Sequence, residues 1–216
     1  MSGRKTLMIA SFLVGVLMMA GCKGKDGQPY ATQKDNAWSR NACGAFSLAY
    51  YLAETGQIPG SKVESTAKDI YSKIKFDPAA GFGDYSDPFK IAIEASKYAS
   101  SVRFAMNVSN PQSDGEKLMS LLAKGFGADT SQFTDIADVP TALGKNEYVI
   151  EILVPRAGVD LPAPMNNPLH YVLTYWKGDT LYTLDPGRGK EEVRQNFIDG
   201  TTSRWSFCNS GIFIQK

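Results

Sequence analysis

The hydrophobic period changes along this chain, and that change limits the folds open to it. From Ala45 to Ala99 the apolar residues recur mainly at helical spacing. "AFSLAYYLAE" (45–54) stops at Gly56, and Ser61 to Ile74 places Val63, Ala67, Ile70 and Ile74 three or four residues apart. Pro88 opens a third helix to about Ala99, and "SVRFAMNV" (101–108) reads as a strand. "SDGEKLMSLLAKG" (113–125) is a helix with a capping box, Ser113 to Glu116, and a Gly125 stop. After it strand patterns dominate. "EYVIEILVP" (147–155) is dense in β-branched residues, and "HYVLTYWKGDTLYTLDP" (170–186) is two alternating runs around Gly178-Asp179, a hairpin. "EEVRQNFIDG" (191–200) is a short helix and "SFCNSGIFIQK" (206–216) a closing strand. Helices first and an antiparallel sheet after predict an α+β fold.

The first residues stand apart. "MSGRKTLMIASFLVGVLMMAGC" has Arg4 and Lys5, an apolar run from Leu7 to Ala20, and small residues before Cys22. That order is a secretory signal, and the run is short of the roughly 20 residues a membrane-spanning helix needs. Its end, "LMMAGC", resembles a bacterial lipobox. The resemblance implies a signal peptide over 1–21, a lipid on Cys22, and a protein held by that lipid in the bacterial cell envelope. Lys23 rather than an aspartate follows, which implies outer-membrane sorting, to the periplasmic side or the surface. Residues 22–35, polar and Gly/Lys-rich, read as a lipidated tether, and 36–216 as one domain.

Removing 21 of 216 residues leaves 195, enough for one sizeable core. The removed segment takes two basic and no acidic residues, so formal charge falls from +1 to −1. A near-neutral domain with no basic stripe gives no support for a nucleic-acid partner. Besides Cys22 there are two cysteines, Cys43 and Cys208, and an envelope compartment permits a bond between them. With one histidine and no C-x-x-C pair, the usual zinc ligand set cannot be assembled, and neither metal nor cofactor is expected.

Cys43 stands where the first domain helix should begin. A helix start presents unpaired N–H groups and positive potential, which favour thiolate, the nucleophilic form. Gly44 would leave room for a substrate backbone, and the Cys43 N–H can face a developing oxyanion. His170 opens the hairpin. With Gly178 and Asp179 as the two turn residues, opposed positions sum to 357, so Val172 faces Asp185 and His170 is a diagonal neighbour of Asp185 on one sheet face. An aspartate so placed holds an imidazole's tautomer and supports its charged form. As structural alternatives, His170 is a core histidine and Asp185 a turn residue of "DPGRG".

"NACGAFSLAYYL" and "HYVLTYWKGDTLYTLDPGRG" together resemble the papain-like cysteine peptidases, in particular the bacterial branch related to bacteriocin-processing (double-glycine) peptidases. The resemblance covers Asn41 to Leu52 and His170 to Gly189. It implies N-terminal helices carrying the nucleophile Cys43, then an antiparallel sheet carrying the base His170 and the orienting acid Asp185. The family's oxyanion glutamine stands six residues before the cysteine. That position here is Ala37, and the nearby amides are Asn36, Gln33 and Asn41, with Asn36 favoured by distance along the chain and Gln33 by loop geometry. The implied activity is an amide hydrolase acting on a peptide or on peptidoglycan crosslinks. A transglutaminase or acyltransferase would use the same triad, and a non-catalytic binding, immunity or adaptor lipoprotein would keep only the scaffold. The aromatic residues, including Tyr50, Tyr51, Tyr175, Trp176 and Trp205, read as packing, and the Pro-rich stretch before His170 as a cleft wall.

Overall fold

A computed structural model describes residues 30–77, 83–113, 115–117, 119–120, 133–156, 169–201 and 204–216. The signal segment, Cys22, the end of the helix expected over 113–125 and most of the Pro-rich stretch before His170 lie outside the described residues.

The fold is α+β. Helices α1 (Cys43–Glu54), α2 (Val63–Ile74) and α3 (Pro88–Ala95) precede most of the sheet, α4 (Val139–Ala142) is a single turn, and α5 (Arg194–Thr201) lies late in the chain. The strands are β1 (Ser101–Met106), β2 (Thr134–Asp135), β3 (Glu147–Pro155), β4 (His170–Lys177), β5 (Thr180–Asp185), β6 (Lys190–Val193) and β7 (Trp205–Gln215). They form one sheet in the order β2-β1-β7-β3-β4-β5-β6. The sheet is mixed rather than wholly antiparallel, because β2 runs parallel to β1. The connection from Met106 to Thr134 is long enough to bring the chain back in the same direction, and the Asp135 side chain fastens the end by accepting the Val108 and Ser109 N–H groups at 2.9 and 3.2 Å.

α1 is buried along its whole length. A helix with no polar face has to lie inside, and α1 packs between the sheet and α2. Its partners on the sheet include Ile150, Ile152, Tyr171, Leu173 and Ile212, in one continuous core. The opposite face of the sheet carries a smaller cluster of Leu153, Val172 and Phe197 under α5.

Three sequence expectations change. The tether does not run to residue 35: Tyr30 is buried, its hydroxyl donates to Glu54 at 2.8 Å, and its ring packs on Tyr50 at 5.1 Å. Covering α1 needs that aromatic surface, so packing of the domain begins by Tyr30 rather than at 36. The helix expected over 191–200 begins as strand, since Lys190–Val193 pairs with β5 and only Arg194–Thr201 is helical. The change comes where Arg194 reaches the buried Glu151, with contacts of 2.5 and 3.1 Å, an ion pair that draws the chain off the sheet edge. The third helix ends at Ala95 rather than near Ala99.

The hairpin keeps the register read from its turn. Leu173 pairs with Leu184, Thr174 with Thr183 and Lys177 with Thr180. Gly178 has φ +59 and Asp179 is not in the left-handed region, a pattern that suits a two-residue turn with glycine first.

Candidate active site

The N-terminus of α1 and the start of β4 meet at one end of the sheet. Cys43 is the first residue of α1, after Ala42 at the cap position. Its Sγ lies 3.7 Å from the Leu169 carbonyl oxygen, next to His170. Ser86 ties the two halves together: its hydroxyl donates to the Asn41 carbonyl at 3.2 Å, and its own carbonyl accepts the Tyr171 hydroxyl at 2.9 Å. One buried serine therefore touches the residue two before the cysteine and the residue one after the histidine.

His170 and Asp185 are both buried, and His170 Nε2 lies 2.8 Å from Asp185 Oδ1. The diagonal placement follows from the hairpin register. Asp185 serves as turn residue and as histidine partner at once. Its main-chain oxygen accepts the Arg188 and Gly189 N–H groups at 3.0 and 2.8 Å, while Oδ1 also accepts the Gly187 N–H at 2.8 Å. Burial pushes the Asp185 carboxyl up, but the His170 hydrogen bond and charge, with Gly187 and Arg188, hold it below its ordinary value. Burial alone would pull the His170 imidazole down. The hydrogen bonds to Asp185 and Cys43, and their charges, outweigh it and raise the pKa to about 9. With Nε2 committed to Asp185, Nδ1 is the nitrogen left to face Cys43.

Trp205, read from sequence as packing, stacks on the His170 ring at 5.1 Å with 24° between planes. An indole lid over an imidazole–carboxylate bond keeps water from competing for it. Nothing in the spacing of Trp205 singles it out, because it reaches His170 from the far end of the chain.

The amides separate. Asn36 turns away and donates its Nδ2 to Glu64 at 2.6 Å. Gln33 lines a cavity of about 300 Å³ with His170 and Asp185. Its Nε2 donates to the Arg40 carbonyl at 3.1 Å, and its Oε1 is buried with no partner among the described residues. Gln33 is anchored by its main chain, whose N–H donates to Pro186 at 3.0 Å and whose carbonyl accepts the Ser39 hydroxyl at 2.7 Å.

Gly44 does not leave space for a substrate. A Cβ there would lie 2.5 Å from Ile91 Cδ1 and 2.8 Å from Ser86 Cβ, so its lack of a side chain lets α1 press against α3 and Ser86. Cys43 and Cys208 are both free thiols rather than a disulfide. Cys208 Sγ lies 2.9 Å from the Ile152 carbonyl and 3.0 Å from Ser210 Oγ, and burial pushes its thiol up to about 12. Among the described residues no group of His, Cys, Asp and Glu is arranged to hold a metal ion, and no helix is long and apolar enough to cross a membrane. No family model, curated protein or solved structure matches the chain. The functional reading therefore rests on the geometry of the site itself.

Proposed function

We propose that this protein is a thiol hydrolase that cleaves amide bonds through Cys43, His170 and Asp185, in the manner of the papain-like cysteine peptidases that its sequence resembles. The observation that carries the reading is a buried imidazole held at 2.8 Å by a carboxylate, with a cysteine at the first turn of a helix whose Sγ lies 3.7 Å from the carbonyl oxygen of the residue before that histidine. A structural histidine needs neither a charged partner nor a thiol beside it.

In this reading His170 and Cys43 share a proton as imidazolium and thiolate. The thiolate attacks the amide carbonyl, and a C–S bond forms as the carbonyl π pair moves to oxygen. The Cys43 N–H at the helix start receives the oxyanion, and Gln33, which has a second Nε2 proton beyond the one given to Arg40, is the side-chain donor that fits better than Asn36. The C–N bond breaks as His170 gives its proton to the leaving amine. A water, deprotonated by His170, then hydrolyses the thioester and restores the thiolate. Asp185 keeps Nε2 protonated and the ring aimed at sulfur. The lipobox resemblance at Cys22 adds a location: a lipid tether in the envelope, where peptides and peptidoglycan crosslinks are the amides within reach.

In a screen of peptides and muropeptides, Cys43→Ala and His170→Ala should each abolish whatever turnover the parent shows, and the double variant should be no worse than either. Asp185→Asn should retain a residue of activity, because it disturbs orientation and charge without removing a reacting group. A fully active His170→Ala protein would end the proposal, since the chain has no other histidine.

A further inference from the structure

The cavity beside His170 has a volume of about 300 Å³, and its charge is one-sided. Besides Asp185, its ionisable lining residues other than His170 are Lys34, Arg188 and Arg204. The one carboxylate is already engaged by His170 and Gly187. Arg188 is held in place: it donates to Glu192 at 3.1 Å and to the Gly200 carbonyl at 3.3 Å, with its guanidinium 5.6 Å above the Phe197 ring. Lys34 and Arg204 have no carboxylate partner among the described residues. The Arg204 guanidinium stands 5.8 Å from the centre of the Trp205 ring, the ring that covers His170. The cavity thus has two aromatic surfaces and, among the described residues, two cations without a carboxylate partner beside the His170–Asp185 pair.

In an acyl transfer the leaving amine departs toward the group that protonates it. This cavity, lined by His170 and by Gln33, is a space beside that group open to the half of the substrate behind the nitrogen. We infer that the cavity receives the leaving-group half of the substrate and selects one bearing a carboxylate, with Arg204 and Lys34 as the specificity-determining residues. This rests on the thiol-hydrolase reading. When the C–N bond breaks, the nitrogen takes the His170 proton and the departing fragment leaves as an amino acid or peptide that carries its acid. Trp205 and Phe197 cover the apolar stem, while the Arg204 fork suits a carboxylate bidentately. Cations converging on a recessed site also concentrate anionic substrate near it. The substrate class is a peptide whose departing half carries a carboxylate within its first two residues, on a side chain or at the C-terminus.

The test separates binding from chemistry. The dipeptides alanyl-glutamate and alanyl-glutamine amide, as leaving-group mimics, are titrated into the Cys43→Ala protein by calorimetry, with the ring signals of the sole histidine followed by NMR. Alanyl-glutamate should bind at least about tenfold more tightly and shift the His170 signals. Arg204→Gln, and separately Lys34→Gln, should cut that preference severalfold, and added salt should shrink it, because these cations lie at an exposed rim. Equal affinity for the two peptides, no binding of either, or a preference untouched by both substitutions overturns the inference. Rapid alkylation of Cys43 in the parent alongside any of those results would leave the hydrolase reading standing. An Arg204-dependent preference in a protein whose Cys43 is inert would support the anion site and remove the hydrolase instead.

Discussion

His170 owes its charge to two neighbours that outweigh its burial, and this sets the pH range of the site. A pKa of about 9 against the ordinary 6.5 corresponds to a preference on the order of 3 kcal/mol for imidazolium. The shift is upward on folding, so its contribution to stability is complete below about 6.5 and is lost as pH rises through about 9. The chain has a single histidine, so its imidazole resonances can be followed unassigned. They should titrate near 9 in the folded protein, and in Asp185→Asn the midpoint should move down. A midpoint at or below 6.5 in the parent would show that neither Asp185 nor Cys43 supports the charge. The His170–Asp185 pairing and the place of Cys43 at a helix start were legible in the sequence for distinct reasons. A lone histidine leaves no competitor, and a two-residue turn converts register into simple arithmetic. The placing of the two amides was not legible, because the stretch from Thr32 to Ala42 is built of turns and a short 3₁₀ segment over Ala37–Ser39. There separation along the chain does not track distance in space, and Asn36, nearer in sequence, points to Glu64 while Gln33 faces the cavity.

At the scale of elements, the site depends on how closely α1 can approach α3 and Ser86. Gly44 sets that distance, and a methyl group there would meet Ile91 and Ser86 below ordinary contact. Ile91 Cδ1 can move, but Ser86 is tied to Asn41 and Tyr171 and resists. Gly44→Ala should therefore destabilise by about 1–3 kcal/mol, as overpacked cores do. The effect is read as a lower urea midpoint with an unchanged slope. A neutral or stabilising result would mean that the helix start is free to shift, and that Ser86 does not hold it. Helix α1 and the hairpin were legible because each has strong local signals: an apolar run closed by Gly56, and alternation around Gly178-Asp179. The split of residues 190–201 into β6 and α5 was not, because it is made by the Glu151–Arg194 pair, 43 residues apart.

Over the whole molecule, the α+β order followed from the change of period, but the placing of the last strand did not. β7 lies between β1 and β3, a long-range choice that no local pattern encodes, and it brings Trp205 onto His170 and Cys208 into the core. That placement supplies an internal control for the proposal that Cys43 is a nucleophile activated by His170. The two free thiols are both buried, yet only Cys43 stands at a helix start beside an imidazole, while the Cys208 thiol is pushed up to about 12. The most direct measurement is brief labelling with iodoacetamide near neutral pH, read by mass spectrometry for each cysteine, in the parent and in His170→Ala. The predicted result is rapid modification of Cys43, none of Cys208 over the same interval, and Cys43 labelling slowed at least about tenfold in His170→Ala. Equal slow labelling of both thiols, or a Cys43 rate unchanged by the loss of His170, would contradict it.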